Sequence, residues 1–164
     1  MPIITPMLSE LEHEARTTTR VLERVPYDKL EWTPHPRSMT LGRLAWHIAS
    51  IPARVGVMLR DGTMDVLTAS PPAMPAETGG IVDGFKRHIA ELRGFLETLD
   101  DTALKETFTM MRGGDTVITM PKVAVIRTIL LNHSYHHRGQ LAVYLRMLDV
   151  PVPAIYGASA DEAM

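Results

Sequence analysis

Apolar residues recur along this chain at spacings that trace four amphipathic helices. Leu8, Leu11, Ala15 and Leu22 share one face and predict a first helix from Met7 to Glu23. The polar passage from Pro26 through Thr33-Pro34-His35-Pro36-Arg37 carries too many prolines for a continuous helix. A second helix is expected to begin at Thr40, an N-cap residue type, and to reach Arg60. Its stripe is Leu41, Leu44, Ile48, Ile51, Val55, Met58 and Leu59, with Pro52 inside it predicting a kink or local break.

Asp61-Gly62 and the run Ser70-Pro71-Pro72-Ala73-Met74-Pro75 mark a loop. Ile81, Phe85, Ile89, Leu92 and Leu96 then predict a third helix over Gly80 to Leu99. The pattern changes between Glu106 and Met120. Phe108, Met110 and the alternation Thr116-Val117-Ile118-Thr119 flank Arg112-Gly113-Gly114-Asp115, which reads as a short β-hairpin or ordered loop. Pro121 suits the first turn of a fourth helix running to Leu148, and Pro151 and Pro153 end it. The expected fold is all-α, a four-helix bundle with that hairpin or loop before the last helix, in a single domain spanning residues 1–164.

Composition narrows the chemistry. The chain is 45% hydrophobic and 22% charged with a formal net charge of −2, so it offers no electrostatic footprint for nucleic acid or anionic lipid. The apolar stretches are interrupted by Arg43, Arg54 and Arg127, which argues against a membrane span. Met1-Pro2-Ile3-Ile4-Thr5-Pro6 lacks the basic and apolar regions of a signal peptide, and a cytoplasmic protein is expected. There is no cysteine, so any transition-metal site must use imidazole, carboxylate and water. The 11 methionines form no clustered motif and are read as core fillers or a loose pocket wall.

The fourth helix carries the candidate chemistry. At about 100° per residue, Ile126, Ile129, Leu130, His133, His137, Gln140, Leu141, Tyr144 and Leu148 fall on one broad face. His133 and His137 are therefore stacked on adjacent turns, in the middle of the stripe that should meet the core. An i, i+4 pair of imidazoles can reach one ion. Without a shared ligand the same pair would have to find hydrogen-bond partners and lose its protons. His47, directly after Trp46 at the edge of the second helix's stripe, is the candidate third ligand, although a lone histidine there is more often a satisfied, half-buried residue. Three imidazoles plus an open position is the arrangement of a catalytic ion, whereas a structural zinc site closes all four positions.

Three passages together, Leu41 to Ile51, the run Leu131-Asn132-His133-Ser134-Tyr135-His136-His137-Arg138-Gly139-Gln140-Leu141, and the tail from Tyr156 to Glu162, resemble the DinB family of small metal-binding bundles. Leu30 to Pro36 resembles that family's entry into its second helix, and the similarity covers about Leu8 to Glu162. Ala158 departs from a proline often found in such tails. The resemblance implies a DinB-like four-helix bundle and assigns His47, His133 and His137 as ligands of one divalent ion, with zinc or nickel favoured over iron or manganese. It also implies a homodimer, and a small-molecule substrate such as a low-molecular-weight thiol, since characterised relatives include thiol-dependent transferases and a thiol-dependent isomerase.

The functional expectation is a metal-dependent enzyme of this type, whose ion acts as a Lewis acid or lowers the pKa of a bound water or thiol. A thiol-dependent S-transferase is the favoured reaction. A hydrolase has less support, because only Glu10, Glu12 and Glu14 on the first helix could supply a general base, and only if one pointed inward. The alternative is a non-catalytic metal- or small-ligand-binding stress-response protein. Gln140 and Tyr144 are candidates to line a pocket or bond a ligand, with core roles equally open to them. His136 is a surface residue in preference to an outer-shell partner. Arg138 is expected to point away from the site and to serve packing or a dimer contact. His13 is read as structural, and His35 and His88 have no constellation behind them.

Overall fold

The computed structural model describes residues 1–76 and 79–163. Helix α1 covers Ile4–Leu22 and leads through a short 3-10 turn, Tyr27–Lys29, into α2, Leu41–Asp61. Strand β1, Thr63–Asp65, precedes α3, Gly80–Leu96, and the short α4, Asp101–Lys105. Strands β2, Thr107–Arg112, and β3, Asp115–Pro121, form the hairpin that the alternation predicted. The last long helix then has three parts: α5, Lys122–Val125, a π-helical segment, Ile126–Asn132, and α6, His133–Met147. No helix among the described residues is long and apolar enough to cross a membrane.

Local chemistry explains the boundaries. The Thr40 hydroxyl accepts from the Arg43 amide, so the expected cap at the start of α2 is in place. Gly62, at φ 68°, closes the other end in the left-handed conformation that glycine adopts without strain. Of the kink or local break expected at Pro52, the break does not occur. Pro52 is buried inside an unbroken helix, where Ile48, Ile51 and Val55 on its own face are all buried. That packing offsets the cost of the hydrogen bond a proline cannot donate. Pro121 stands just outside the last helix as its N-cap, one position earlier than expected.

The hairpin is wider than the sequence pattern implied, because β1 adds a third strand. It lies parallel to β2, with Thr63 opposite Thr109 and Asp65 opposite Met111. Gly113 and Gly114, both at positive φ, make the two-residue turn between β2 and β3. The Asp65 carboxylate fastens that turn by accepting from the amides of Gly113 and Gly114, each at 3.1 Å, and its bond from the Leu67 amide, followed by these two, holds its pKa below the usual value.

Two apolar clusters fill the bundle. One joins Ile51, Val55 and Leu59 of α2 with Leu92, Leu96, Phe108, Ile126 and Leu130. The other joins Leu41, Leu44 and Ile48 with Val21, Leu22, Phe85, Leu141 and Leu145. Along α2 the clusters meet between Ile48 and Ile51, and along the last helix between Leu131 and Leu141. The histidine positions lie at this junction.

Helix α3 packs more extensively on α2 than on any other element. Trp46, 7% exposed, sits so close to α3 that a Cβ on Gly84 would lie 2.7 Å from its ring. Gly84→Ala is expected to destabilise the chain by about 1–3 kcal/mol, because a fully packed indole cannot retreat. Chemical denaturation checks this, and an unchanged midpoint would contradict the contact.

Candidate metal centre

Helix α2 carries His47 on the face between the two clusters, and the other two histidines come from α6. His133 is the first residue of α6, directly after the π-helical segment, and His137 follows one turn later. The His47 and His137 rings are 4.5 Å apart between centroids, His133 and His137 4.3 Å, and His47 and His133 5.1 Å. One ring nitrogen from each lies within 4.8 Å of the others, and Nε2 of His47 is 2.9 Å from Nε2 of His133. Ligand nitrogens around a tetrahedral ion with ordinary bond lengths stand about 3.3 Å apart. The three imidazoles therefore fit one ion with little adjustment.

Their electrostatics point the same way. Burial first, then the neighbouring imidazoles and the Arg54 charge, push the pKa of His47 down to about 4. His133 also falls to about 4, again mainly through burial. Burial lowers His137 as well, partly opposed by its hydrogen bond to Gln140. Neutral imidazole is the form that binds metal.

In the metal-free protein the folded chain holds fewer protons on these rings than the unfolded chain does. Their contribution to stability is thus complete above pH 6.5 and is lost as the pH falls toward 4. Chelator-treated protein should show a falling melting temperature between pH 6.5 and 5, above the ordinary carboxylate range, and His47→Leu should flatten that slope. A pH-independent melt over this window would contradict it.

Comparison with known proteins places this arrangement in a family. The family model described as the DinB superfamily matches residues 10–141, a span that contains all three histidines. The chain belongs to the DinB superfamily. It is 29% identical over 163 residues to the uncharacterized protein YrdA of Bacillus subtilis (strain 168), covering 94% of this chain and 89% of that protein. Two solved structures share the fold. A DinB-like protein from Bacillus cereus ATCC 10987 superposes with a TM-score of 0.73 at 24% identity, covering 92% of this chain and 95% of that one. The DinB-like protein YjoA from Bacillus subtilis gives 0.70 at 19%, covering 88% and 93%.

Around the trio of this DinB superfamily member, the other candidates separate by what they touch. Gln140 is exposed, and its Oε1 accepts from Nδ1 of His137 at 2.7 Å. That bond commits Nδ1 to its proton and leaves Nε2 with the lone pair. Gln140→Leu is expected to weaken zinc binding by about 10–100-fold with little change in stability. Competition against a chromophoric chelator reads this, and an unaltered affinity would remove Gln140 from the site.

Tyr144 is engaged elsewhere in the fold. Its hydroxyl donates to the Met39 carbonyl at 3.3 Å and its ring meets Trp32 edge-on, which makes it a packing residue. His136 is exposed, as expected, with its ring beside that of His137. Arg138 points away from the site but reaches no outer surface: it is buried against Glu14, Thr18 and Tyr156. His88 is buried, and its Nδ1 donates to the Ala49 carbonyl at 2.8 Å, joining α3 to α2. His13 and His35 are exposed, so His13 has no core role.

All three α1 carboxylates are engaged by other side chains. Glu10 binds Arg127 and Tyr135, Glu12 pairs with Arg93, and Glu14 faces Arg138. What periodicity missed is a cleft of about 270 Å³ beside His133. Its walls include Ile51, Val55 and Met58 of α2, Met64 of β1, Met110 of β2 and Ile129 of the π segment, with Arg54 among them. Nothing in the pattern predicted β1, so nothing could bring Met64 and Met110 to this wall.

Proposed function

We propose that this chain is a metal-dependent enzyme in which His47, His133 and His137 hold one divalent ion, zinc or nickel ahead of iron or manganese, with a small molecule as substrate. The observation that carries the reading is that His133 both belongs to the imidazole trio and lines the apolar cleft. Three protein nitrogens leave at least one further position of a tetrahedral ion for substrate. A divalent ion held there supplies positive charge that lowers the pKa of a thiol beside it.

Thiol-dependent S-transfer is the reaction we propose. In it the sulfur bonds to an electrophilic carbon, a leaving group departs, and the thiol proton passes to solvent. The residues of the chain bind and orient: Gln140 fixes the tautomer of His137, and the methionine-lined wall gives a substrate an apolar surface beside His133. With no cysteine, the protein itself offers no competing thiolate.

The test is conjugation of a low-molecular-weight thiol to monochlorobimane by metal-loaded protein. Turnover above the uncatalysed rate, lost in His137→Ala, supports the reading. No turnover with any of a panel of biological thiols would rule out S-transfer. We also propose a homodimer through the exposed Val143 and Met147, one turn apart on α6. A monomer mass by light scattering would refute that.

A further inference from the structure

Arg54 lies seven residues after His47 on α2, two turns along nearly the same face, so their Cα atoms are about 10.5 Å apart. Its side chain is half-buried, and among the described residues it has neither an ion-pair nor a hydrogen-bond partner. Other half-buried or buried arginines of the bundle are paired: Arg127 with Glu10 and Arg138 with Glu14. Arg54 lines the cleft that His133 also lines, and the wall between them is built from Ile51, Val55, Met58, Met64, Met110 and Ile129. Thr128, the remaining polar lining residue, already donates its hydroxyl proton to the Ala124 carbonyl at 2.7 Å. The cleft therefore offers a ligand a guanidinium with no partner among the described residues, an apolar middle and an imidazole.

We infer that the cleft binds a small carboxylic acid with an apolar body, the carboxylate on Arg54 and the far end directed toward the histidines. The inference rests on the proposed function for what happens at that far end, and on the cleft alone for binding. A guanidinium fork matches a carboxylate with two parallel hydrogen bonds, and an ammonium does not. Volume limits the ligand: about 270 Å³ holds on the order of nine waters at about 30 Å³ each, which suits an acid of six to eight carbons and not a large cofactor. Methionine walls adapt to chains of differing shape.

The probe is hexanoate, with 1-hexanol as its neutral counterpart, titrated by calorimetry into the protein as purified, with its metal content measured. Arg54→Gln is expected to weaken hexanoate binding roughly tenfold or more, the size of a lost charge-assisted pair, while leaving hexanol binding and metal content unchanged. Arg54→Lys should recover part of the loss. Equal hexanoate affinity in wild type and Arg54→Gln, with loss in His137→Ala, would put the carboxylate on the ion and overturn the inference while the metal reading stood. Arg54-dependent binding by protein that holds no metal, even after incubation with zinc, nickel, iron and manganese, would uphold the inference and sink the metal reading. No hexanoate binding at millimolar concentration would overturn it as well.

Discussion

Replacing His133 or His137 with alanine is expected to weaken divalent-ion binding by well over the 10–100-fold that loss of an outer partner costs. Each residue supplies one of three converging nitrogens, and among the described residues no carboxylate belongs to the group that could take its place. His47→Ala should act alike, although it sits on a different helix. Stability of the metal-free protein should respond differently. The rings of half-buried His47 and His133 and of buried His137 are held neutral against their preference for water, with burial the leading cause of the lowered pKa in each. Removing one relieves that strain, so metal-free His47→Leu should be at least as stable as wild type near pH 5. Zinc-competition titrations and melts of the same variants read the two effects separately. Wild-type zinc affinity in any one of the three alanine variants would break the account.

Arg138→Ala is expected to destabilise the chain by about 3–5 kcal/mol, the cost of leaving a buried charge without its partner. Arg138 is 1% exposed and its Nη1 lies 2.7 Å from Glu14 Oε2, while Glu14 is 9% exposed. The same guanidinium reaches the Thr18 hydroxyl at 3.1 Å and lies over the rings of Tyr135 and Tyr156. Tyr156 completes the network by donating to Glu14 at 2.9 Å, which ties the C-terminal tail to α1. For a chain of this length the loss corresponds to a fall of roughly 6–20 °C in melting temperature. Arg138→Met with Glu14→Leu should recover much of it, since an apolar pair of similar volume leaves no charge unpaired. A fall under 2 °C for Arg138→Ala alone would contradict the buried pair.

The candidate site was legible because its residues lie on strongly periodic segments. His133 and His137 sit in the middle of an apolar stripe, and His47 follows Trp46 in another, so helical geometry brought them toward one core. The Thr40 cap and the Gly113-Gly114 turn are local chemistry, readable residue by residue. Strand β1 was not readable, because Thr63-Met64-Asp65 is too short to show alternation and its pairing with Thr109 to Met111 is set across more than forty residues. The π-helical segment from Ile126 to Asn132 carries no proline or glycine to mark it, yet it sets where His133 enters α6. Arg138 was placed on the correct side of its helix, but its burial depends on Glu14 and Tyr156 arriving from distant segments. Tyr144 shares the stripe with the histidines, yet Met39 and Trp32 take up its hydroxyl and ring.

Three imidazoles on two helices should hold a single divalent ion. Elemental analysis by plasma mass spectrometry, on tag-free wild-type protein beside His137→Ala, tests it most directly. The wild type should carry about one transition-metal ion per chain and the variant a small fraction of that. Wild-type protein that stays metal-free after incubation with zinc, nickel, iron and manganese would contradict it.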